Sequence, residues 1–286
     1  MDAERAQQDP SATMPRSGLR SRLSKPHYIF RPSQLVRRLR HGELVATPWN
    51  EMRVASDVLG RGIARTGVHE LAVSETVWRL VRPDDLAIDV GANVGYFTGL
   101  LSRRVRQVIA LEPNPLLAPI ISENVARWGG NVELLARAAS ASSGHARLHL
   151  PADYEHNNGV ATLEAGEGDS YEVQTVTLTD LIAGRQVGLL KIDVEGHELS
   201  VLQATPLELI RDVIFEEHGT LPTPVSRLLE EAGFEVRGIE ETLLRPRLIA
   251  GQPRSWEAPT YLATRRLAEA TRLLAARGWR CLRGRS

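Results

Sequence analysis

Residues 86–97 have the sequence LAIDVGANVGYF, and the interpretation of the whole chain starts from this segment. Its first five residues are an apolar run with the length of a buried strand. Gly91 and Gly95 follow and are typical of a tight turn, and the apolar residues from 96 to 105 have helical spacing. The segment therefore predicts a strand, a glycine-rich loop and a helix in succession.

The same alternation continues on the C-terminal side of this unit. Residues 108–111 predict a second strand, which is ended by the prolines of EPNP at 112–115. A helix over 116–128 and a third strand over 132–135 follow. Strands that alternate with helices are typical of a parallel sheet with helices on both faces, so we expect an α/β fold.

Farther along the chain, an insertion interrupts the alternation before it resumes. The segments ARLHL and EVQTVTL, within residues 145–178, alternate polar and apolar residues around a polar loop, so they predict an inserted β-hairpin. The later predicted elements are a strand over 188–194, a helix over 198–210, a strand over 212–217, a helix over 225–232 and a closing antiparallel pair over 234–239 and 260–264.

The composition is that of a chain with a substantial core. It has 286 residues, of which 42% are apolar. Cys281 is the only cysteine, which excludes a disulfide framework and favours a reducing compartment. Residues 1–30 contain no apolar stretch typical of a signal peptide, and no segment is apolar over the length of a membrane span. We therefore expect a cytoplasmic protein without a membrane-spanning segment.

Positive charge is concentrated at the two ends, although 35 basic and 35 acidic residues balance overall. Arginine clusters bind phosphate groups, so these ends would suit a polyanion. Aromatic residues are not interleaved with the arginines as a stacking platform requires, which favours a disordered tail and a solvated helix. We divide the chain into a basic tail over 1–40, a helical segment over 41–82, a main domain over 83–264 and a basic C-terminal helix over 265–286.

The charge around the glycine-rich loop favours a cationic nucleoside. Asp89 precedes the loop, and Glu112 ends the next strand, where an acid accepts hydrogen bonds from ribose hydroxyls. The pattern is GxNxG rather than the GxGxxG that holds a diphosphate, and an acid at position 89 would repel one. S-adenosylmethionine carries a sulfonium, an ammonium and no phosphate, so the loop favours it over NAD. A tight turn that binds no ligand is the alternative interpretation.

Three motifs in this order resemble the FkbM-type methyltransferases: DVGANVGYFT at 89–98, LEPNP at 111–115 and LKIDVEGHE at 190–198. The resemblance covers about residues 45–264 and excludes both arginine-rich ends. It implies the class I methyltransferase fold, a Rossmann-like, mostly parallel sheet of seven strands, and S-adenosylmethionine as methyl donor. It also implies O-methylation of a hydroxyl on a sugar, a polyketide or another glycosylated metabolite.

The resemblance also implies cofactor contacts. Four residues of the first motif would surround the methionine part of the cofactor, namely Asp89, Gly91, Asn93 and Gly95. Glu112 would hold the ribose, and Asn114 would shape the loop beside it. Arg137 and Ala138 would contact the adenine, and Glu70 would face the cofactor from the upstream helices.

Acidic residues and histidines follow two later strands. Because side chains alternate along a strand, Asp193 and Glu195 would share one face, as would Glu216 and His218. Both strands end at the edge of the sheet where ligands bind. A protonated alcohol is a poor nucleophile, so we predict His197 or His218 as general base, oriented by Glu195 or Glu216. A divalent metal held by Asp193 and Glu216 is the open alternative.

Structural roles for some of these residues also stay open. Glu195 and Glu198 precede a helix, where carboxylates cap free N–H groups. The resemblance implies that the loop over 155–159 closes over the acceptor. Trp49 and Tyr154 are candidates for stacking on a sugar or macrocycle, but a lone aromatic residue is more often a packing residue.

We predict a cytoplasmic O-methyltransferase with a small-molecule hydroxyl acceptor and no nucleic-acid partner. Two other functions are weighed against it. A nucleic-acid methyltransferase would use the arginine-rich ends, but the Asn-Pro-Pro-Tyr-like turn common in enzymes that methylate base amino groups is replaced here by KIDVEGHE. A regulatory module that binds the cofactor without catalysis is the third possibility.

Overall fold

The computed structural model describes residues 39–151, 161–164, 168–219, 221–254 and 259–283. Nearly all of the predicted basic tail, the loop over 155–159 and Tyr154 lie outside the described residues. The proposed domain boundaries stay a prediction. Within the described part of the chain, no helix has both the length and the apolar character needed to cross a bilayer.

A large mixed sheet forms the centre of the molecule. Five neighbouring strands are parallel: β5 (Val132–Leu135), β4 (Gln107–Leu111), β3 (Leu86–Val90), β9 (Val187–Ile192) and β10 (Ile210–Glu216). Three antiparallel strands continue the sheet beyond β10: β13 (Thr260–Thr264), β11 (Glu235–Glu241) and β12 (Pro246–Ile249). The predicted α/β fold of the class I methyltransferases is confirmed.

Helices cover both faces of this sheet. Every residue of β3 and β9 is buried, as expected for parallel strands packed on both sides. One apolar cluster joins one face to α2 (Leu71–Leu80), α3 (Tyr96–Ser102), α4 (Ala118–Trp128) and α8 (Leu267–Ala275). Another cluster joins the opposite face to α5 (Leu178–Ile182), α6 (Glu198–Gln203) and α7 (Pro224–Glu231).

The sheet has eight strands, one more than the seven expected. The additional strand, β12, lies at the edge of the sheet and begins at Pro246. Proline has no N–H group to donate to a neighbouring strand, and an edge strand tolerates this because it has a neighbour on one side only. The predicted helix over 198–210 was also wrong in its length. Its helix ends at Gln203, and Pro206 leads into a short 3-10 turn before β10 starts at Ile210.

The segment before the sheet is helical only in part. It contains α1 (Val58–Thr66) and α2, as predicted, but an antiparallel hairpin of β1 (Glu43–Ala46) and β2 (Glu51–Val54) precedes them. Each strand has only four residues, so their alternation is too short to distinguish from the helical spacing that follows.

The predicted insertion forms a small second sheet. Strands β7 (Gly144–Leu150) and β8 (Asp169–Val176) pair as an antiparallel hairpin, as expected. The two-residue strand β6 (Ala138–Ala139) pairs with β8 and connects this sheet to the end of β5. The insertion therefore lies next to the carboxyl edge of the parallel strands.

The basic C-terminal segment packs onto helix α2 of the segment before the sheet. Arg79 and Glu75 form a buried ion pair on α2, and Arg79 donates hydrogen bonds to the carbonyls of Ala276 and Gly278. Glu75 in turn accepts the backbone N–H of Cys281 at 2.7 Å. The end of the chain is thus part of the fold up to at least Cys281.

Candidate cofactor and active site

A cavity of about 580 Å³ opens at the carboxyl edge of the parallel strands. The strand ends form its floor, α1 and the start of α2 form one wall, and the insertion forms another. The predicted cofactor-binding and catalytic residues all line it, except Gly95 and Asn114. Six carboxylates of the described residues line the cavity: Glu70, Asp89, Glu112, Asp193, Glu195 and Glu216.

The two glycines of the loop after β3 have left-handed backbones and close neighbours that leave little room for a side chain. Gly91 has a left-handed backbone with φ of 80°, and a Cβ atom there would lie 1.9 Å from the carbonyl oxygen of Asp193. At Gly95, a Cβ atom would meet the ring of Trp128 at 3.0 Å. Gly95 therefore packs against Trp128 at the start of α3 and does not line the cavity.

Glu112 ties two loops together at the end of β4. Its carboxylate accepts the backbone N–H of Asn93 at 2.7 Å and that of Asn114 at 2.9 Å. Burial outweighs both hydrogen bonds and raises the pKa of Glu112 to about 7. Asn114 is buried, and its side-chain oxygen accepts the N–H of Leu116, so it shapes this loop as expected.

Asp89 belongs to the lining of the cavity and has a buried carboxylate oxygen without a donor. The side chain is fully buried, and its Oδ2 accepts the hydroxyl of Thr98 at 2.6 Å. No described group donates a hydrogen bond to Oδ1, and burial raises the pKa of this carboxyl group. A buried carboxylate oxygen without a donor is costly in free energy, so the position suits a cationic or hydrogen-bond-donating ligand.

Lys191, which was not predicted as a site residue, carries the buried positive charge of the cavity floor. Its ammonium lies 3.0 Å from Asp193 Oδ2 and 4.7 Å above the ring of Phe97. Burial alone would lower its pKa, but Asp193, Asp89 and Glu70 outweigh burial and raise it. A sequence signal existed, because Lys191 is the only lysine after residue 40 and stands two positions before Asp193.

Two further carboxyl groups of the cavity bind protons more tightly than usual. Burial, reinforced by Asp193, raises the pKa of Glu70 to about 7 although Lys191 opposes the shift. For Glu216, burial together with the charges of Asp193 and Glu70 raises the pKa to about 9. Glu70 has a left-handed backbone with φ of 43° at the start of α2, which places it over the strand ends.

His218 and Glu195 come together as one of the predicted pairs. Their nearest atoms, Nε2 of His218 and Oε2 of Glu195, are 3.6 Å apart. The expected strand alternation does not produce this pair, because β9 ends at Ile192 and Glu195 lies in a turn with φ of 49°. Burial and the charge of Asp193 raise the pKa of Glu195. His218 is exposed, so its other ring nitrogen is accessible from the cavity.

His197 is held at both ring nitrogens. Nε2 lies 3.0 Å from the hydroxyl of Ser140, and Nδ1 lies 2.9 Å from a carboxylate oxygen of Glu164. These contacts join the insertion to the loop after β9. Glu198 accepts the N–H groups of Val194 and Gly196 in the same loop, which is the capping role weighed in the sequence.

The remaining predicted residues divide between the cavity and the core. Arg137 and Ala138 line the cavity beside β6. Trp49 does not line it and has the packing role that was weighed against stacking on a substrate. Its ring packs against Tyr96 with centroids 5.4 Å apart, inside the apolar core.

The described residues do not fit the metal alternative. No three histidine, cysteine, aspartate or glutamate side chains in this part of the chain are grouped to hold a metal ion. Asp193 already pairs with the Lys191 ammonium, which a cation would have to displace.

Comparison with known proteins supports the methyltransferase interpretation. A family model described as "Methyltransferase FkbM domain" matches residues 89–236, which include the carboxyl ends of the strands that form the cavity floor. The chain belongs to the FkbM methyltransferase family. The resemblance expected from the three sequence motifs is thereby confirmed.

Two relatives of this FkbM chain have informative names. It is 33% identical over 175 residues to the hexuronic acid methyltransferase AglP of Haloferax volcanii, covering 58% of this chain and 71% of the relative. It is 31% identical over 202 residues to the 31-O-demethyl-FK506 methyltransferase FkbM of Streptomyces tacrolimicus, covering 57% and 77% respectively.

Solved structures match this chain with low sequence identity and low TM-scores. The FkbM methyltransferase of Methylobacillus flagellatus is 13% identical with a TM-score of 0.41, and the match covers 64% of this chain and 44% of that one. The precorrin-6y C5,15-methyltransferase of Geobacter metallireducens is 18% identical with a TM-score of 0.40, covering 71% and 87% respectively.

Proposed function

We propose that this protein is an S-adenosylmethionine-dependent O-methyltransferase that acts on a hydroxyl of a small or glycosylated metabolite. The observation that carries the proposal is the acid-lined cavity at the carboxyl edge of β3 and β4, whose lining includes Asp89 with a carboxylate oxygen that no described group satisfies. The names of the relatives support the acceptor class, because one acts on a hexuronic acid and another on an O-demethylated metabolite.

The lining of the cavity contains hydrogen-bond acceptors that suit this cofactor. When bound, S-adenosylmethionine supplies a methyl group on a positively charged sulfur. Asp89 offers its free oxygen to the amino acid part, and Glu112 retains acceptor capacity for ribose hydroxyls after its two backbone contacts. Arg137 and Ala138 line the wall beside them, where the adenine would lie.

His218 and Glu195 are the best-placed pair for proton transfer. We assign His218 as the general base, which takes the proton of the acceptor hydroxyl on the ring nitrogen that faces away from Glu195. The Glu195 carboxylate orients the ring and stabilises the imidazolium that forms. The carbonyl of Glu195 accepts the hydroxyl of Thr162 at 2.9 Å, which fixes the turn that carries this carboxylate.

His197 serves as a positioning residue in this scheme. Ser140 and Glu164 occupy both of its nitrogens, so neither nitrogen is free to contact an acceptor hydroxyl. Its role is to hold the insertion against the strand ends, where alignment of the acceptor with the transferred methyl group determines much of the rate.

The test is a transfer assay with methyl-tritiated S-adenosylmethionine, the full chain and three acceptor pools: a metabolite extract, a set of glycosides and transfer RNA. We expect label in the small-molecule pools and a loss of about 100-fold in rate for His218→Ala. His145→Ala is the matched control, because His145 is an exposed histidine of β7 outside the cavity wall.

Three results would contradict the proposal. Label found only in RNA would support the nucleic-acid alternative. Cofactor binding without transfer to any pool would support a regulatory module. An equal rate for the His218 and His145 variants would remove His218 from the mechanism.

A further inference from the structure

Three arginines line the cavity at a distance from its acidic floor. Arg61 and Arg65 belong to α1, and Arg137 follows β5 on the opposite wall. Among the residues that the structure describes, no carboxylate forms a salt bridge with any of the three. Arg61 donates one N–H to the carbonyl of Ser56 at 2.7 Å, which leaves most of its guanidinium free.

Helix α1 presents its two arginines on one face. Val58, Arg61, Gly62 and Arg65 all line the cavity, and their spacing of three to four residues places them along one side of a helix. The helix is fixed at its start, where the Asp57 side chain accepts the N–H of Gly60 at 2.7 Å. Two arginines one turn apart, with Cβ atoms roughly 6 Å from each other, can bind the same anionic group.

Gly62 leaves room between these arginines. A Cβ atom built at this position has no neighbour within 4 Å, so the space beside the helix is open. Val58, which is 55% exposed, adds an apolar surface one turn before it. The face therefore combines two guanidinium groups, a gap and an apolar contact, as a small organic anion requires.

The two parts of the cavity have opposite charge. Carboxylates at the strand ends form the floor together with Lys191, whereas Arg61 and Arg65 stand on the wall that α1 forms. A negatively charged group is repelled from the floor and attracted to this wall. An acceptor that carries such a group at one end therefore presents its opposite end to His218 and Glu195.

We propose that the acceptor is an anionic metabolite whose carboxylate or phosphate binds Arg61 and Arg65 while a distant hydroxyl reaches the acidic floor. This inference rests on the proposed function, because it names the class of acceptor for the same site. The planar guanidinium fork matches both oxyanions, and the experiment distinguishes between them.

The experiment measures binding of matched probes to the full chain saturated with S-adenosylhomocysteine, by calorimetry. The probes are p-nitrophenyl β-D-glucuronide against p-nitrophenyl β-D-glucoside, and glucose 6-phosphate against glucose. We expect at least one anionic probe to bind about tenfold or more tightly than its neutral partner. In the double variant Arg61→Gln/Arg65→Gln, this ratio falls to about one. The matched control is Arg227→Gln, an exposed arginine of α7 outside the cavity wall.

A second variant distinguishes the effect of the open space at Gly62 from the effect of the arginine charges. Gly62→Leu fills the gap without backbone strain, because residue 62 is helical. It is expected to weaken the anionic probe at least about tenfold while S-adenosylhomocysteine binds as in the wild type.

Several outcomes overturn the proposal. They are equal affinity for charged and neutral probes, a ratio that survives in the double variant, and no binding of any probe to the chain loaded with S-adenosylhomocysteine. If the double variant binds S-adenosylhomocysteine more weakly but keeps the affinity ratio of anionic to neutral probes, the arginines hold the cofactor carboxylate instead. Failure of the wild type to bind S-adenosylhomocysteine would contradict the proposed function itself, which is a distinguishable result.

Discussion

At the amino edge of the parallel strands, three of the described carboxylates face three arginines, whereas at the carboxyl edge Asp89, Asp193 and Glu70 share one buried lysine. The amino-edge pairs are close and well formed. Asp85 accepts two hydrogen bonds from Arg211 at 2.6 and 2.7 Å, and Asp212 lies 2.6 Å from Arg266 and accepts the hydroxyl of Thr264.

The same strands thus carry both arrangements. On β10, Asp212 at one end has two arginine partners, whereas Glu216 at the other end has a pKa raised to about 9 by burial and by its acidic neighbours. The fold can therefore neutralise buried carboxylates where charge serves only structure. Excess negative charge at the opposite edge costs stability, which is typical of a site built for a ligand that brings the missing positive charge.

The largest expected effect is at the amino edge. Asp212→Ala removes the carboxylate between Arg211 and Arg266 and leaves partly buried guanidinium groups without it. We expect the free energy of unfolding to fall by about 3–5 kcal/mol in urea denaturation. Asp84→Ala, at an exposed position before β3, is the control and is expected to change stability by less than about 0.5 kcal/mol. A similar small loss for Asp212→Ala would mean that this network does not stabilise the sheet.

Lys191→Met is expected to have the next largest effect, and the effect depends on pH. It leaves Asp89, Asp193 and Glu70 without their shared cation, so the loss should approach about 3 kcal/mol near pH 8. The loss should be smaller near pH 5, because Glu70, whose pKa is about 7, is then protonated in the folded chain. Lys191→Arg keeps the charge and should recover part of the stability. A loss that is equal at both pH values would contradict the assigned role.

Cofactor binding by an Asp89 variant tests whether the carboxyl edge of the sheet is a ligand site. Asp89→Asn keeps the shape of the side chain and removes the charge of the unsatisfied oxygen. Affinity for S-adenosylhomocysteine should fall by about 10- to 100-fold in calorimetric titration, the range for a lost hydrogen bond to a charged group. Asp84→Asn, near the other end of β3, should bind as the wild type does. Equal affinities for the two variants would show that Asp89 does not contact the ligand.

The smallest expected effect is a gain in stability at Glu216. The folded chain holds this proton up to about pH 9, whereas the unfolded chain releases it near the ordinary value of 4.5. The stability due to this group is thus complete below pH 4.5 and is lost as pH rises through about 9.

Glu216→Gln should therefore match the wild type near pH 5 and exceed it near pH 9 by about 1 kcal/mol, or about 2–4 °C in Tm, because the side chain is only partly buried. Thermal melts at the two pH values provide the measurement. A variant that is less stable than the wild type near pH 9 would show that the Glu216 carboxylate is neutralised in the folded state.

Much of this site could be predicted from sequence because its residues follow strands. The strand ends at Val90, Leu111, Ile192 and Glu216 bring Asp89, Glu112, Asp193 and His218 to one edge, as parallel topology requires. Apolar runs bounded by glycine and proline identified those strands without structural information.

The remainder depends on contacts between segments that are distant in the chain. Gly91 is required by the carbonyl of Asp193, and His197 is occupied by Ser140 and Glu164, none of which spacing along one segment can reveal. Lys191 lies in an apolar run like an ordinary strand residue, and its role follows only from its spatial neighbours in the fold. The hairpin of β1 and β2 was missed because four-residue strands carry too little alternation to detect.

The most direct test of the central claim compares a nucleoside derivative that has no phosphate with a dinucleotide that carries a diphosphate. The full chain is titrated calorimetrically with S-adenosylhomocysteine and with NAD, and the titrations are repeated with Glu112→Ala. An acidic cavity should bind S-adenosylhomocysteine, reject the diphosphate of NAD, and lose about tenfold or more in affinity when Glu112 is removed. Preference for NAD, or an affinity for S-adenosylhomocysteine that is unchanged in Glu112→Ala, would contradict the account.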